Sequence, residues 1–285
     1  MATSPGSVPA VPILDVAGRS LHYDRRGAGD PLLLIQGLSG NALHWGEPFL
    51  ELLERDFDVV AFANRGVGRS TEADVDFTIA DLAGDAAGMM DGLGWESAHV
   101  MGISMGGMIA QELALNAPER IRGLVLGCTS HGGEDSTPTA EEVVRSLAEP
   151  ILRGDRKAAI RAGWLANVSE RYAADGEAFT RFREVAAKSP ASVQVLMRQL
   201  QAVRGHDASE RLERIAIPTL VMHGDCDQLL DVGNGRLVAH LIPGARLEVF
   251  EGVGHLFFWE EAERSAQLVR EFLAGIGEAS AAPAA

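Results

Sequence analysis

Lysine is nearly missing from this chain: of 25 basic residues only Lys157 and Lys188 are lysines, and the rest are arginines. The basic residues are outnumbered by 40 acidic ones, for a formal net charge of -15. A surface so acidic repels phosphate backbones and anionic headgroups, so nucleic acid and membrane surfaces are not expected partners. Cysteine is scarce too. Cys128 and Cys226 cannot build a disulfide framework; they fall at the ends of predicted strands, close enough to be neighbours, and are expected as two buried free thiols. No apolar run reaches the about 20 residues that a membrane-spanning helix needs. Residues 1–12 lack the continuous apolar stretch of a secretory signal, so a cytoplasmic location is expected. No His/Cys/Asp cluster has clear metal-ligand spacing and no phosphate-binding loop is present, so neither metal nor cofactor is expected. Homo-oligomer formation is left open.

What the chain does have is alternation. Apolar runs of strand length (11–16, 20–25, 31–35, 59–62, 98–103, 124–127, 219–223 and 247–250) are separated by amphipathic runs of helix length. Helices are predicted over 45–55, 78–93, 105–116, 233–241 and 260–274. Thr78 and Asp81 suit a capping box at the start of the second. Continuous apolar strands between helices predict an α/β fold with a mainly parallel central sheet, covered by helices on both faces. Residues 131–210 break the alternation: they read as several helices without a strand, and strand pattern resumes at Ile217. The expected organisation is a core of residues 1–130 and 211–275, an inserted helical cap over 131–210, and a flexible tail over 276–285.

Chemistry concentrates at three strand ends. Residues 98–103 run into Ser104, and a helix pattern starts at Met105. Gly102 and Gly106 flank the serine, and Gly107 follows, giving Gly-x-Ser-x-Gly in a strand–turn–helix context. A serine in so tight a turn stands clear of the sheet edge, and the helix start offers free N–H groups to a developing negative oxygen. A serine hydroxyl needs a base, commonly histidine, and the histidine needs an acid to fix its tautomer. Asp225 and Asp227 follow the strand at 219–223, and His255 follows the last strand in the loop Gly252-Val253-Gly254-His255. Strand carboxyl ends are where open α/β sheets place their sites. His223, Asp225 and Asp227 also allow a metal reading, but a Ser–Asp–His set uses them better.

On these residues the chain resembles the α/β-hydrolase superfamily, over roughly residues 20–275. Gly102-Ile103-Ser104-Met105-Gly106 matches its nucleophile elbow. Gln36-Gly37-Leu38 stands where the family has His-Gly-x, and residues 64–70 (NRGVGRS) resemble its Asp-x-Arg-Gly-x-Gly-x-Ser loop. Residues 223–227 (HGDCD) match Gly-x-x-Asp, which assigns the acid to Asp227, and His255 matches the histidine loop. The resemblance implies catalytic Ser104, Asp227 and His255, with the Leu38 and Met105 N–H groups as the oxyanion hole. Within the superfamily the chain looks most like the small-molecule group of enol-lactonases, methylesterases and cofactor-free haloperoxidases. Two departures stand out: Gln36 replaces the usual histidine, and Asn64 the usual aspartate. Arg65 is expected to be structural, bonded to nearby carbonyls.

Gln36, Gly37, Trp45, Trp164 and Phe257 are the expected substrate-pocket residues, with Leu165, Val168, Met197 and Leu200 as further cap candidates. The expected activity is hydrolysis of a small-molecule ester or lactone through an acyl-enzyme. A C–C bond hydrolase, a thioesterase or a haloperoxidase would use the same residues. A non-hydrolytic cyclase or a small-molecule binding protein is the alternative from another class.

Overall fold

A computed structural model describes residues 12–71, 75–188 and 191–281. Eight segments form one sheet: β1 (Ile13–Val16), β2 (Arg19–Arg26), β3 (Asp30–Ile35), β4 (Phe57–Phe62), β5 (Ala98–Ile103), β6 (Ile121–Gly127), β7 (Thr219–Gly224) and β8 (Arg246–Phe250). Their order is β1-β2-β4-β3-β5-β6-β7-β8. The β1–β2 and β2–β4 pairs are antiparallel and the rest are parallel. From β3 the chain steps outward to β4, then back across β3 to β5. The loops leaving β3 and β5 therefore diverge, which opens a crevice at the carboxyl edge of the sheet.

The parallel strands are apolar on both faces because both faces are covered. In β3, Leu33 and Ile35 pack with Met89 of α2 (Ile79–Leu93) and Ile109 and Leu113 of α3 (Met105–Asn116). On the other face Leu32 and Leu34 pack with Phe49 of α1 (Glu47–Leu53) and Leu273 of α11 (Ala262–Ala281). The α2 start is set by its sequence: Thr78 Oγ1 accepts from Asp81 N at 3.1 Å and Asp81 Oδ2 accepts from Thr78 N at 2.8 Å, which closes the expected capping box.

Between β6 and β7 lie α4 (Glu141–Leu152), α5 (Arg156–Asn167), α6 (Glu170–Ala173), α7 (Gly176–Lys188) and α8 (Val193–Arg204), with no named strand among the described residues. A single antiparallel bridge, Gly132 to Asp207, ties the two ends of this insertion together. The chain then completes the core with α9 (Val232–Leu241) and α10 (Phe257–Glu260).

Several local expectations change. The helix predicted over 45–55 begins as a 3-10 turn, Ala42–Trp45, and breaks at Gly46 (φ 78) before α1. The helix predicted over 260–274 is split at Glu261 (φ -131), where the short turn of α10 buries Phe257 and Phe258 in the core before α11 begins. α11 then continues to Ala281, into the segment expected as a tail; residues 282–285 lie outside the described residues. Both thiols are free, but only Cys128 is buried, whereas Cys226 is exposed because it sits on the outer side of the loop after β7. The first strand begins at Ile13; residue 11 lies outside the described residues. No helix among the described residues is long and apolar enough to cross a membrane.

Candidate active site

Ser104 joins β5 to α3 with φ 58 and ψ -123, a conformation that L residues rarely adopt. The turn is held from both sides: Ser104 N donates to Gly127 O at 2.9 Å, and Thr129 Oγ1 donates to Ser104 O at 2.8 Å. The serine hydroxyl does not cap α3, so it is not consumed by the helix it starts. The flanking glycines are steric necessities. A Cβ on Gly102 would lie 2.1 Å from Gly106 O, and one on Gly106 would lie 2.0 Å from Ile35 O. Met105 is the first residue of α3, so its N–H has no partner within the helix.

The loop after β3 lies against this turn, and a Cβ on Gly37 would come within 2.9 Å of Ser104 Cβ. Gly40 N donates to Gly37 O at 3.1 Å, closing a tight turn around Leu38 and Ser39. Gln36 is buried beneath it, with Oε1 accepting from Gly37 N at 3.1 Å, while Asn64 Nδ2 donates to Gln36 O at 3.2 Å. The two departures from the family pattern therefore meet each other and brace the loop from inside. Arg65 is structural as expected, although its main partner is a carboxylate: Nε donates to Asp85 Oδ2 at 2.6 Å and Nη2 to Asp81 O at 3.0 Å.

Asp227 and His255 meet at the ends of β7 and β8. His255 Nδ1 lies 2.7 Å from Asp227 Oδ2. The other oxygen, Oδ1, accepts from Leu229 N at 2.8 Å and Leu230 N at 3.0 Å. The carboxylate is buried, which alone would raise its pKa. The charge of His255 and hydrogen bonds from His223 and His255 outweigh burial and hold it well below the usual carboxylate range. Asp225 is exposed and serves the turn: its Oδ1 accepts from Gly252 N at 2.7 Å.

Three further groups around this pair were not anticipated as part of it. His223, fully buried, places Nε2 2.8 Å from Leu230 O and 3.3 Å from Asp227 Oδ2. Cys128 follows β6, between the serine and the acid, and burial together with the Asp227 charge keeps its thiol protonated, with a pKa well above the usual thiol value. Cys128, Asp227 and His255 present atoms within 4.8 Å of one another, a potential metal trio. A protonated thiol beside a carboxylate already committed to two histidines suits a hydrogen-bonded pair better than a metal centre. The third group, Glu260, binds Gly254 N of the histidine loop and Ser169 N of the insertion through the same Oε1, at 2.8 and 2.7 Å. The Cys128–Asp227 and Ser169–Glu260 contacts join residues far apart in the chain, so sequence patterns carry no signal for them, whereas His223 stands only four residues before Asp227.

The insertion touches three loops of the site, those after β7, β8 and β3. Gln228 Nε2 donates to Leu165 O at 3.1 Å, Leu256 N to Asn167 O at 2.8 Å, and Ser39 N to Gln199 Oε1 at 2.7 Å.

Several expected pocket residues lie elsewhere. Trp45 is fully buried against Phe49 and Phe258, with ring centroids 6.0 and 4.9 Å away. Phe257 packs on Phe250 (5.0 Å) and Phe258 (5.4 Å) under the sheet end. Trp164 is the centre of the insertion's own core, with Tyr172, Phe179 and Phe182 at 5.6, 6.0 and 5.3 Å. Large aromatic rings are most stabilising where both faces are covered, and here core packing claims them. Gln36 is turned into the loop, and Leu165 and Met197 are exposed. Gly37 and Met105 do adjoin the serine.

Fold and site together define a hydrolase of the α/β class. The family described as alpha/beta hydrolase fold matches residues 30–262, and the chain belongs to it. It is 33% identical over 248 residues to a poly(3-hydroxyalkanoate) depolymerase of Ectopseudomonas oleovorans, covering 85% of this chain and 84% of that protein. Among solved structures it is similar to a hydrolase from Pseudomonas aeruginosa PA01 (TM-score 0.80, 31% identity, 94% of this chain and 99% of that one). It is also similar to the enol-lactonase from Burkholderia xenovorans LB400 (TM-score 0.81, 26% identity, 92% and 100%).

Proposed function

We propose that this protein is a serine hydrolase of small-molecule carboxylic esters or lactones. Ser104 Oγ attacks the carbonyl carbon as His255 Nε2 takes its proton. The Asp227 carboxylate holds the imidazole through Nδ1 and stabilises its charged form. The N–H groups of Met105 and Leu38 receive the oxyanion. His255 returns the proton to the leaving alcohol, and water, activated by the same imidazole, then releases the acyl group.

The observation that carries this reading is the 2.7 Å contact of His255 Nδ1 with Asp227 Oδ2. It orients one imidazole nitrogen and leaves Nε2 for the nucleophile, on the edge where the strained Ser104 turn lies. The named relatives add weight, since a polyester depolymerase and an enol-lactonase both open ester bonds. The test is labelling by a fluorophosphonate probe, followed by turnover of p-nitrophenyl esters and lactones. Wild-type protein should label at Ser104 and turn over at least one ester, and Ser104→Ala should do neither while remaining folded. A variant that kept more than about a tenth of wild-type turnover would remove Ser104 from its role. A wild-type protein that binds such compounds without turnover would point to a binding protein on the same fold.

A further inference from the structure

Gln199 sits on α8, one turn after Val195, so both project from the same helix face. Val195 is buried with Ala63 and Val67 against the loop after β4, where a Cβ on Gly66 would strike Val195 Cγ2 at 2.6 Å. On the outer face Val193 and Met197 are exposed. The inward face is thus seated on the core, and Gln199 is carried to the oxyanion loop with no exposed surface.

There its Oε1 accepts from Ser39 N at 2.7 Å. Ser39 has φ 55, a left-handed conformation that serine holds at a cost, and this bond anchors the turn beside Leu38. The same bond fixes which way the amide faces. Reversing it would set an NH2 group against a backbone N–H, two donors with no acceptor between them. The Nε2 of Gln199 is therefore a donor of known orientation, and among the described residues it has no partner. A buried donor left unsatisfied is costly, so an acceptor on a group bound beside the oxyanion loop would gain from meeting it.

Sheet order says which part of the ligand. In the reaction proposed above, His255 protonates the leaving group, so the leaving group lies on the β8 side of Ser104. Gln199 and the oxyanion loop lie on the β3 side, which is left to the acyl group. A carboxamide carries no net charge and suits a neutral acceptor; a buried carboxylate would need a cation. The buried cation of this region, Arg65, is already committed to Asp85.

We infer that Gln199 is a specificity residue of the insertion, whose carboxamide NH2 reads a neutral oxygen, hydroxyl or keto, on the acyl group held by Ser104. This rests on the serine-hydrolase reading. It is tested by comparing kcat/KM for p-nitrophenyl butanoate with its 3-hydroxy counterpart, and for the pentanoate with its 4-oxo counterpart. Wild-type enzyme should prefer an oxygenated acyl group by about tenfold or more in at least one pair. Gln199→Met, which has no donor, should bring that ratio to within about twofold of unity; Gln199→Glu serves if the first variant does not fold. A preference that survives in the folded variant overturns the inference. A wild-type protein that labels at Ser104 and turns over both members of each pair equally also overturns it, while the hydrolase reading stands. A wild-type protein that neither labels nor turns over any ester removes both.

Discussion

His223 Nε2 stands 3.3 Å from the Asp227 oxygen that also meets His255 Nδ1, so one carboxylate oxygen serves two buried histidines. The same Nε2 lies 2.8 Å from Leu230 O, in the loop that donates two N–H groups to the other Asp227 oxygen. His223 thereby fixes the acid, and in the proposed reaction it is a positioning residue, since the acid in turn holds the imidazole that would act as base.

His223→Leu should lower kcat about tenfold with little change in KM and reduce stability by about 1–3 kcal/mol, since it strips a partner from the buried Asp227 carboxylate and from the Leu230 carbonyl. His223→Gln, whose Nε2 reaches a similar point, should recover most of both. Steady-state kinetics beside thermal melts separate this from simple packing, because a purely structural residue would move Tm without moving kcat.

The two neighbouring acids should behave oppositely. Asp227→Asn should cost about four powers of ten in kcat, because the amide cannot pair with the imidazole in the needed tautomer. Asp225→Asn should cost about tenfold or less, since its carboxylate binds the Gly252 N–H of an exposed turn. Both variants on one substrate, with folding checked by circular dichroism, decide it. A folded Asp225→Asn that lost more kcat than Asp227→Asn would move the acid by two residues.

The acid limb of the pH–rate profile should belong to imidazole alone. The catalytic base works only when neutral, so kcat/KM should rise with pH in a single step. Asp227 adds no second step, because its carboxyl is held well below the ordinary carboxylate range and stays ionised across the working interval. His255→Gln should remove the step along with nearly all the rate. Two separate acid steps in wild-type protein would contradict the assignment.

Trp164→Ala should read as a stability variant. Its ring is fully buried among Tyr172, Phe179 and Phe182, so truncation should cost about 3–5 kcal/mol of the structure it holds. Acyl chain-length preference should be unchanged, measured on graded p-nitrophenyl esters beside Tm. A shifted preference with little loss of Tm would return Trp164 to the substrate pocket.

Local physics was legible in the chain itself. The strand runs, the capping box at Thr78 and the glycine-flanked Ser104 follow from side-chain periodicity and from turns that admit no Cβ, which are properties of neighbours in sequence. The same holds for the acid and histidine loops, since each closes an apolar strand and the sheet aligns strand ends. Only the tertiary structure decided which aromatic residues the core would claim: Trp45, Trp164 and Phe257 look alike whether they line a pocket or fill a layer. It also decided the contacts of His223, Cys128, Gln199 and Glu260 with the site. The Gln199–Ser39 bond spans 160 residues and the Ser169–Glu260 bond 91. No periodicity encodes such a bond; it exists because the insertion between β6 and β7 folds back over the carboxyl edge and brings its polar side chains onto loops fixed by other strands.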